Sequence, residues 1–170
     1  MSFSSSTLTI RPFQQEDLSA CVRLFQSNTP EFFSASELPE FQMYLGRHAT
    51  GSYWVCEFEN NIIGCGGIRV RMDGYGSLCY GMVDTNYHGQ GIGAALMNFR
   101  LQKFLEYPDV QKIRLDTSQH SYGFFKKFGF SVCTVEPDFY GKGLDCYHME
   151  RDINPDPAIT PVPEGLGLSP

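Results

Sequence analysis

The sequence predicts an α/β domain in which helices pack on a central, largely antiparallel sheet of six to seven strands. Three observations predict it. Strand-like and helix-like periodicities alternate along the chain in the order β-α-α-β-β-β-α-β-α-β-β. Turn signals join consecutive strand segments closely enough to make hairpins. The 170 residues are 42% hydrophobic and 14% aromatic, a composition that packs one core and forms a single domain.

Thr7–Arg11 reads as a short strand. Leu18, Cys21, Val22 and Phe25 then fall at i, i+3, i+4 and i+7, one face of a helix. Glu16 and Asp17 stand at its start, where the dipole favours acids. A second helix is expected over Ser36–His48, carrying Leu38, Phe41 and Leu45 inward. Ser34-x-x-Glu37 is a capping box for it, and Pro39 fits only in its first turn. Three strands follow at Tyr53–Phe58, Ile62–Arg71 and Leu78–Val83. Asn60-Asn61 is the expected tight turn between the first two, and Asp73–Gly76 turns into the third. Gly64, Gly66 and Gly67 inside the middle strand imply a bulge or the close approach of something bulky.

Past Val83 a polar link, Asp84–His88, leads into Gly89-Gln90-Gly91-Ile92-Gly93-Ala94 and a helical pattern of Met97, Leu101 and Phe104, which Pro108 must end. Lys112–Thr117 is a strand. Tyr122, Phe125 and Phe128 line a short helix closed by Gly129 as a left-handed cap. Ser131–Val135 and Asp145–Met149 complete the sheet, with Tyr140–Asp145 as a flexible turn before the last strand. The segment 154–170 holds five of the prolines and reads as a disordered tail beyond a domain spanning 1–153.

The glycine-rich link carries the chemistry. Glycine lets the backbone take positive φ and come close to a ligand. A helix starting there leaves N–H groups unpaired, with the positive end of the dipole behind them. Such a terminus binds anions, phosphates above all. Gly89-x-Gly91-x-x-Ala94 also satisfies a dinucleotide fingerprint, with Asp109 beyond it. That fingerprint follows its strand directly, however, whereas five residues intervene here, and too little chain remains for a second nucleotide-binding half. A plain packing turn is the third alternative.

His88-x-x-Gly91-x-Gly93, preceded by Val83-Asp84 and Tyr87, resembles the acyl-CoA pyrophosphate loop of the GNAT superfamily of N-acetyltransferases. Leu115–Gln119 followed by Phe124-Phe125-Lys126-Lys127-Phe128-Gly129-Phe130 is similar to that family's last block. The resemblance covers roughly residues 7–152. It implies helices on both faces of the sheet and a splay between its fourth and fifth strands that admits a pantetheine arm. The implied cofactor is acetyl-CoA, with no metal, and the implied reaction is transfer of its acetyl group to a primary amine by direct attack in a ternary complex. Met82 and Val83 would offer backbone groups to the arm. His88, Gly89, Gln90, Gly91, Ile92, Gly93 and Ala94 would surround the pyrophosphate, with Ser118 and Phe125 beside the cofactor. Two positions depart from the family pattern. His88 stands where Gln or Arg is usual, and Phe125 where many members carry a Tyr that protonates the departing thiolate.

Since Phe125 cannot donate a proton, Tyr122 (one helical turn earlier) and His120 are the expected acids. For a base, Glu31, Glu57 and Asp116 are all open. The resemblance puts Tyr140 and Asp145 beside the acceptor. A non-catalytic acyl-CoA sensor or interaction protein is the alternative that Phe125 keeps open.

The net charge of −6 argues against nucleic acid as a partner. It suits a cationic amine, whether a small molecule or a protein group. Charge is uneven: residues 31–60 hold five glutamates against Arg47, while 100–127 hold six Lys and Arg against three acids. Six scattered cysteines lack C-x-x-C pairs and histidines at ligand spacing, so no metal site is expected. With no leader pattern at the first residues and no long apolar run, the expectation is a cytoplasmic protein without a membrane partner. The resemblance is compatible with a homodimer.

Overall fold

The computed structural model describes residues 7–154. The expected tail therefore lies, Asn154 apart, outside the described residues. The elements occur in the order read from the sequence. They are β1 (Thr9–Pro12), α1 (Leu18–Ser27), α2 (Leu38–Arg47), β2 (Tyr53–Phe58), β3 (Asn61–Val70), β4 (Tyr75–Val83), α3 (Ile92–Phe104), β5 (Lys112–Thr117), α4 (Tyr122–Lys126), β6 (Ser131–Gly141) and β7 (Leu144–Asp152). The strands form one seven-stranded sheet ordered β1-β2-β3-β4-β5-β7-β6. Its pairs are antiparallel except β4–β5, which the α3 crossover makes parallel.

Side-chain alternation along β2 shows that both faces of the sheet are covered. Tyr53 and Val55 enter a core with Phe25 of α1 and Phe41 and Leu45 of α2. Trp54 points the other way, to Met97 and Phe104 of α3, and Cys56 meets Ala95 and Leu96. The capping box before α2 forms: Ser34 Oγ accepts from Ser36 N–H, and Ser34 N–H donates to Glu37 Oε2 at 2.7 Å. Pro39 sits in the first turn, as it must. No described helix is long and apolar enough to cross a membrane.

Several boundaries differ from the sequence reading. The β2–β3 turn is Glu59-Asn60, with φ of 49° and 62°, and Phe58 pairs with Asn61. Both central residues of such a two-residue turn need positive φ, so Asn61 is already strand, and its side chain caps Glu59 O. Strand β4 begins at Tyr75, not Leu78, because Gly76 and Ser77 pair on both sides despite poor strand propensity. Strands β6 and β7 run longer than expected. Residues 131–139 of β6 are exposed throughout, so no buried alternation announces the strand. The Tyr140–Asp145 turn tightens to Lys142-Gly143 between them. The glycines of β3 carry both features expected of them: a bulge between Cys65 and Gly67, and bulky neighbours. A Cβ on Gly66 would lie 3.1 Å from Arg100 Cζ, and one on Gly67 2.5 Å from the Tyr53 ring.

Candidate active site

Strands β4 and β5 pair over only three positions, Tyr75–Ser77 against Lys112–Arg114. Beyond them β4 turns away, with Tyr80 at φ 41°. The opening holds a cavity of about 410 Å³ walled by β4, the end of β5, the glycine loop and the Phe124 and Phe125 rings of α4. Ladder alternation decides which backbone groups face it. Val83 pairs with Gly64 and Met82 with Cys65, and Asp84 N–H donates to Ile63 O at 2.8 Å. Asp84 and Met82 therefore turn their backbone to β3, and Val83 turns its own away, into the gap. Of the two expected backbone partners, Val83 has the suitable orientation. Its carbonyl already accepts Asn28 Nδ2 at 2.9 Å and His88 Nε2 at 2.8 Å, so the N–H is its remaining polar group.

Since a carbonyl only accepts, His88 must carry its proton on Nε2. The side chain thus ties the loop back to the end of β4. A single 3-10 turn, Thr85–Tyr87, is capped by Asp84 Oδ1 on Asn86 N–H at 2.9 Å. Gly89 (φ 75°) and Gly91 (φ 84°) then take the left-handed conformation that side chains resist. Gly91 is the N-cap of α3, and no side chain caps the helix. Ala95 N–H is the first to reach an intrahelical acceptor, Gly91 O at 3.0 Å, so the amides of Ile92, Gly93 and Ala94 precede the ladder. Ile92 buries its side chain beneath them. A Cβ on Gly89 would meet nothing within 4 Å. Gln90 faces solvent, its amide bonded to Asn86 O. These unpaired amides and the open glycine backbone stand at the rim of the cavity.

Another part of the wall is acidic and aromatic. His120 lines it and meets Phe32 edge-on at 6.4 Å, while Phe32 also meets His88 at 5.4 Å. Glu37, Asp116 and Tyr140 join the same wall. Burial holds the Glu37 carboxyl above its usual range, against the pull of the Ser34 N–H. Burial also keeps the Tyr140 phenol neutral. Behind Asp116, His148 is bracketed by Glu136 Oε2 and Asp116 Oδ1, both at 2.6 Å. Those carboxylates, Glu136 foremost, raise its basicity. Asp116, Cys146 and His148 bring their donor atoms within 4.8 Å of one another. The β5–β7 register assembles that group from residues far apart in sequence, which linear ligand spacing does not reveal.

The expected site residues divide clearly. Val83, Met82, His88, Gly89, Gly91, Gly93, Ala94, Ser118, Phe125 and His120 line the cavity. Tyr122 does not join them. Its ring stacks on Tyr147 at 4.7 Å, because three residues advance a helix by some 60° short of a full turn and α4 is only five residues long. Glu57 lies on β2, bonded to Arg11 at 2.8 Å, and Glu31 is outside the cavity wall. Asp145 anchors the β6–β7 turn, accepting from Asp138 N–H. Sequence reasoning missed Asn28, Glu37 and Arg100. Arg100, on α3, is 3% exposed. Its Nε donates to Gly67 O at 3.0 Å and its Nη2 to Cys79 O at 3.2 Å. The unexplained glycines of β3 and β4 were its only signal.

Comparison with known proteins bears on the family and the fold. Residues 18–130 match the profile of the acetyltransferase (GNAT) family. No curated protein matches the sequence. Among solved structures, the ribosomal-protein-S18-alanine N-acetyltransferase from Escherichia coli superposes with a TM-score of 0.71 at 18% identity, covering 95% of this chain and 100% of its own. Ard1 from Thermoplasma volcanium gives 0.71 at 21% identity, over 88% and 99%. An aminoglycoside 6'-N-acetyltransferase complexed with coenzyme A gives 0.67 at 16%, over 87% and 98%. These likenesses share the fold, and the profile match spans well over half of the chain: it belongs to the GNAT family of acetyltransferases.

Proposed function

We propose that this protein is an N-acetyltransferase that moves the acetyl group of acetyl-CoA to a primary amine by direct attack within a ternary complex. The observation that carries the reading is the uncapped α3 N-terminus opening onto the gap between β4 and β5. A diphosphate suits amides 92–94 and the glycine backbone from 89. The thioester arm then follows β4 past Val83 N–H, with Ser118 and Phe125 along its opposite side. A fold neighbour complexed with coenzyme A supports the same cofactor here. The catalytic unit is the single domain 1–153.

The amine enters beside the acidic part of the wall. As an ammonium it is held by Glu37 and Asp116, but it must lose a proton before it can attack. Glu37, the carboxylate whose burial raises its basicity, takes that proton. His120 is the cavity-lining group suited to reprotonate the thiolate, Phe125 being unable to donate and Tyr122 being turned away. Holding amine and thioester in one cavity supplies much of the remaining acceleration.

The test is thiol release from acetyl-CoA across a library of primary amines, with calorimetry of coenzyme A in parallel. The expected result is one free thiol per acetylated amine for a subset of cationic acceptors, lowered about 10²-fold or more in His120→Ala. Heat of binding with no thiol from any amine would replace the enzyme reading with a sensor. No heat at all would remove both.

A further inference from the structure

Arg100 raises a question that neither the fold nor the loop answers. A guanidinium this deeply buried ordinarily sits against a carboxylate, yet no described carboxylate lies within 4 Å of it. Burial accordingly pulls its basicity down. Nε and Nη2 are spent on Gly67 O and Cys79 O. Nη1 makes no hydrogen bond among the described residues. No fully occluded side-chain nitrogen or oxygen lacks a partner, so Nη1 reaches open space, and the open space Arg100 lines is the cavity.

Its depth in the cavity identifies what it meets. Arg100 stands eight residues into α3 from Ile92, about 12 Å along the axis from the anion-binding amides. Cys79, which it bonds, lies four residues back along β4 from Val83, about 13 Å. Helix and strand thus deliver one cation to the floor of the gap, where an arm anchored at the loop would end in its thioester. Two glycines make the room. A Cβ on Gly81 would fall 2.4 Å from Nη1, and one on Gly66 3.1 Å from Cζ.

We propose that Arg100 is a further catalytic residue, whose free Nη1 stabilises the negative charge that passes from the thioester oxygen to its sulfur. The proposal rests on the coenzyme A reading. The amine, its first proton already on Glu37, forms the C–N bond with its lone pair while the C=O pair moves onto oxygen, and the second nitrogen proton is shed to replace the one His120 gives to sulfur. The oxygen pair then re-forms C=O, the C–S bond breaks with its electrons on sulfur, and the thiolate takes a proton to leave as free thiol. Charge develops first on oxygen and then on sulfur. A preorganised cation in a water-poor pocket is worth most there, and it offsets the hydroxyl that Phe125 lacks.

The experiment compares calorimetric affinities of coenzyme A and desulfo-coenzyme A between pH 7 and 9. The two share every contact except the thiol. If Nη1 faces the sulfur, the bound thiol ionises at least one unit below its ordinary value near 8.5. Coenzyme A then gains about tenfold in affinity over its desulfo analogue as pH rises, and Arg100→Met abolishes the gain. Protein groups around the guanidinium are Tyr44 on α2, Tyr53 on β2, Cys65 on β3 and Cys79 on β4. Their own ionisation is common to both ligands and cancels, whereas any pull on the sulfur by Glu37, Asp116, His120 or Tyr140 of the cavity wall persists in Arg100→Met and is thereby separated from that of the guanidinium. Gly81→Ala, which crowds Nη1 aside while keeping the charge, shrinks the gain without unfolding the chain, and so keeps the test decisive if Arg100→Met is unstable. Parallel pH profiles for the two ligands in the wild type would overturn the assignment while leaving coenzyme A binding intact. Failure of both ligands to bind would overturn the cofactor reading beneath it.

Discussion

Asp17 stands where the dipole of α1 favours an acid, and its sequence position says that much. The structure adds a partner from β1. Arg11 donates through Nη1 and Nη2 to the two Asp17 oxygens at 2.8 and 2.9 Å, and Gln14 N–H adds a third bond at 2.8 Å. Arg11, the first of these, holds the Asp17 carboxyl below its usual range. A depressed carboxylate stabilises the fold above its unfolded pKa near 4 and loses that contribution as pH falls through the folded value. Asp17→Asn should therefore cost about 2 kcal/mol at pH 7, and the gap to wild type should close toward pH 3, both read from urea midpoints. A constant gap across that range would mean packing, not charge, holds Asp17. The same contrast separates what sequence reveals of the site from what it conceals. The geometry of the loop residues 88–94 is legible because it depends on local φ and a local helix start. Asn28, Glu37 and Arg100 are not, since each acts on residues between 21 and 103 positions away, as in Asn28 to Val83 O, Glu37 beside Tyr140, or Arg100 to Cys79 O.

The unit that matters among the elements is the β4–β5 pair, zipped at one end and open at the other. Gly76 lies in the zipped end, between Val70 on β3 and Ile113 on β5. The fully buried ring of Phe104, the last residue of α3, occupies the place of its missing side chain: a Cβ there would lie 2.3 Å from Cε1. α3 leaves the open end and returns its C-terminus to the closed one, so this contact ties the end of α3 to the paired strands. Gly76→Ala should destabilise by about 2 kcal/mol, since neither ring nor ladder has room to yield. Gly93→Ala is the control. Its Cβ would make an ordinary 3.5 Å contact with Phe124, and unfolding stability should stay within about 0.5 kcal/mol of wild type. Equal midpoints for the two variants would show that β4 yields at Gly76. The sequence foretells the order of elements because each carries its own period. It misplaces the start of β4 and the extent of β6, because a glycine shaped by a distant ring and an edge strand exposed over residues 131–139 carry none.

At the scale of the molecule the sheet is two halves, β1–β4 and β5–β7, joined through three backbone pairs and the α3 crossover. A ligand lying in the opening touches both: the loop and β4 on one side, Ser118 and Phe125 on the other. It binds only when the halves are in register, and the unfolded chain offers no such cleft, so binding must appear as stability. At a free concentration 100 times its Kd, one site contributes about 2.7 kcal/mol, which for a chain of this size raises Tm by about 5–10 °C. Coenzyme A should produce that rise in a thermal melt. Adenosine 3'-phosphate 5'-diphosphate, which keeps the diphosphate and lacks the arm, should engage the helix terminus without spanning the gap. At the same concentration it should raise Tm by less than half as much, because its weaker Kd leaves it at a smaller multiple of saturation. Equal shifts from the two ligands would locate all of the affinity in the loop and leave the parted strands without a role. A shift from neither would mean that the amides of Ile92, Gly93 and Ala94 hold no phosphate, whatever their geometry allows.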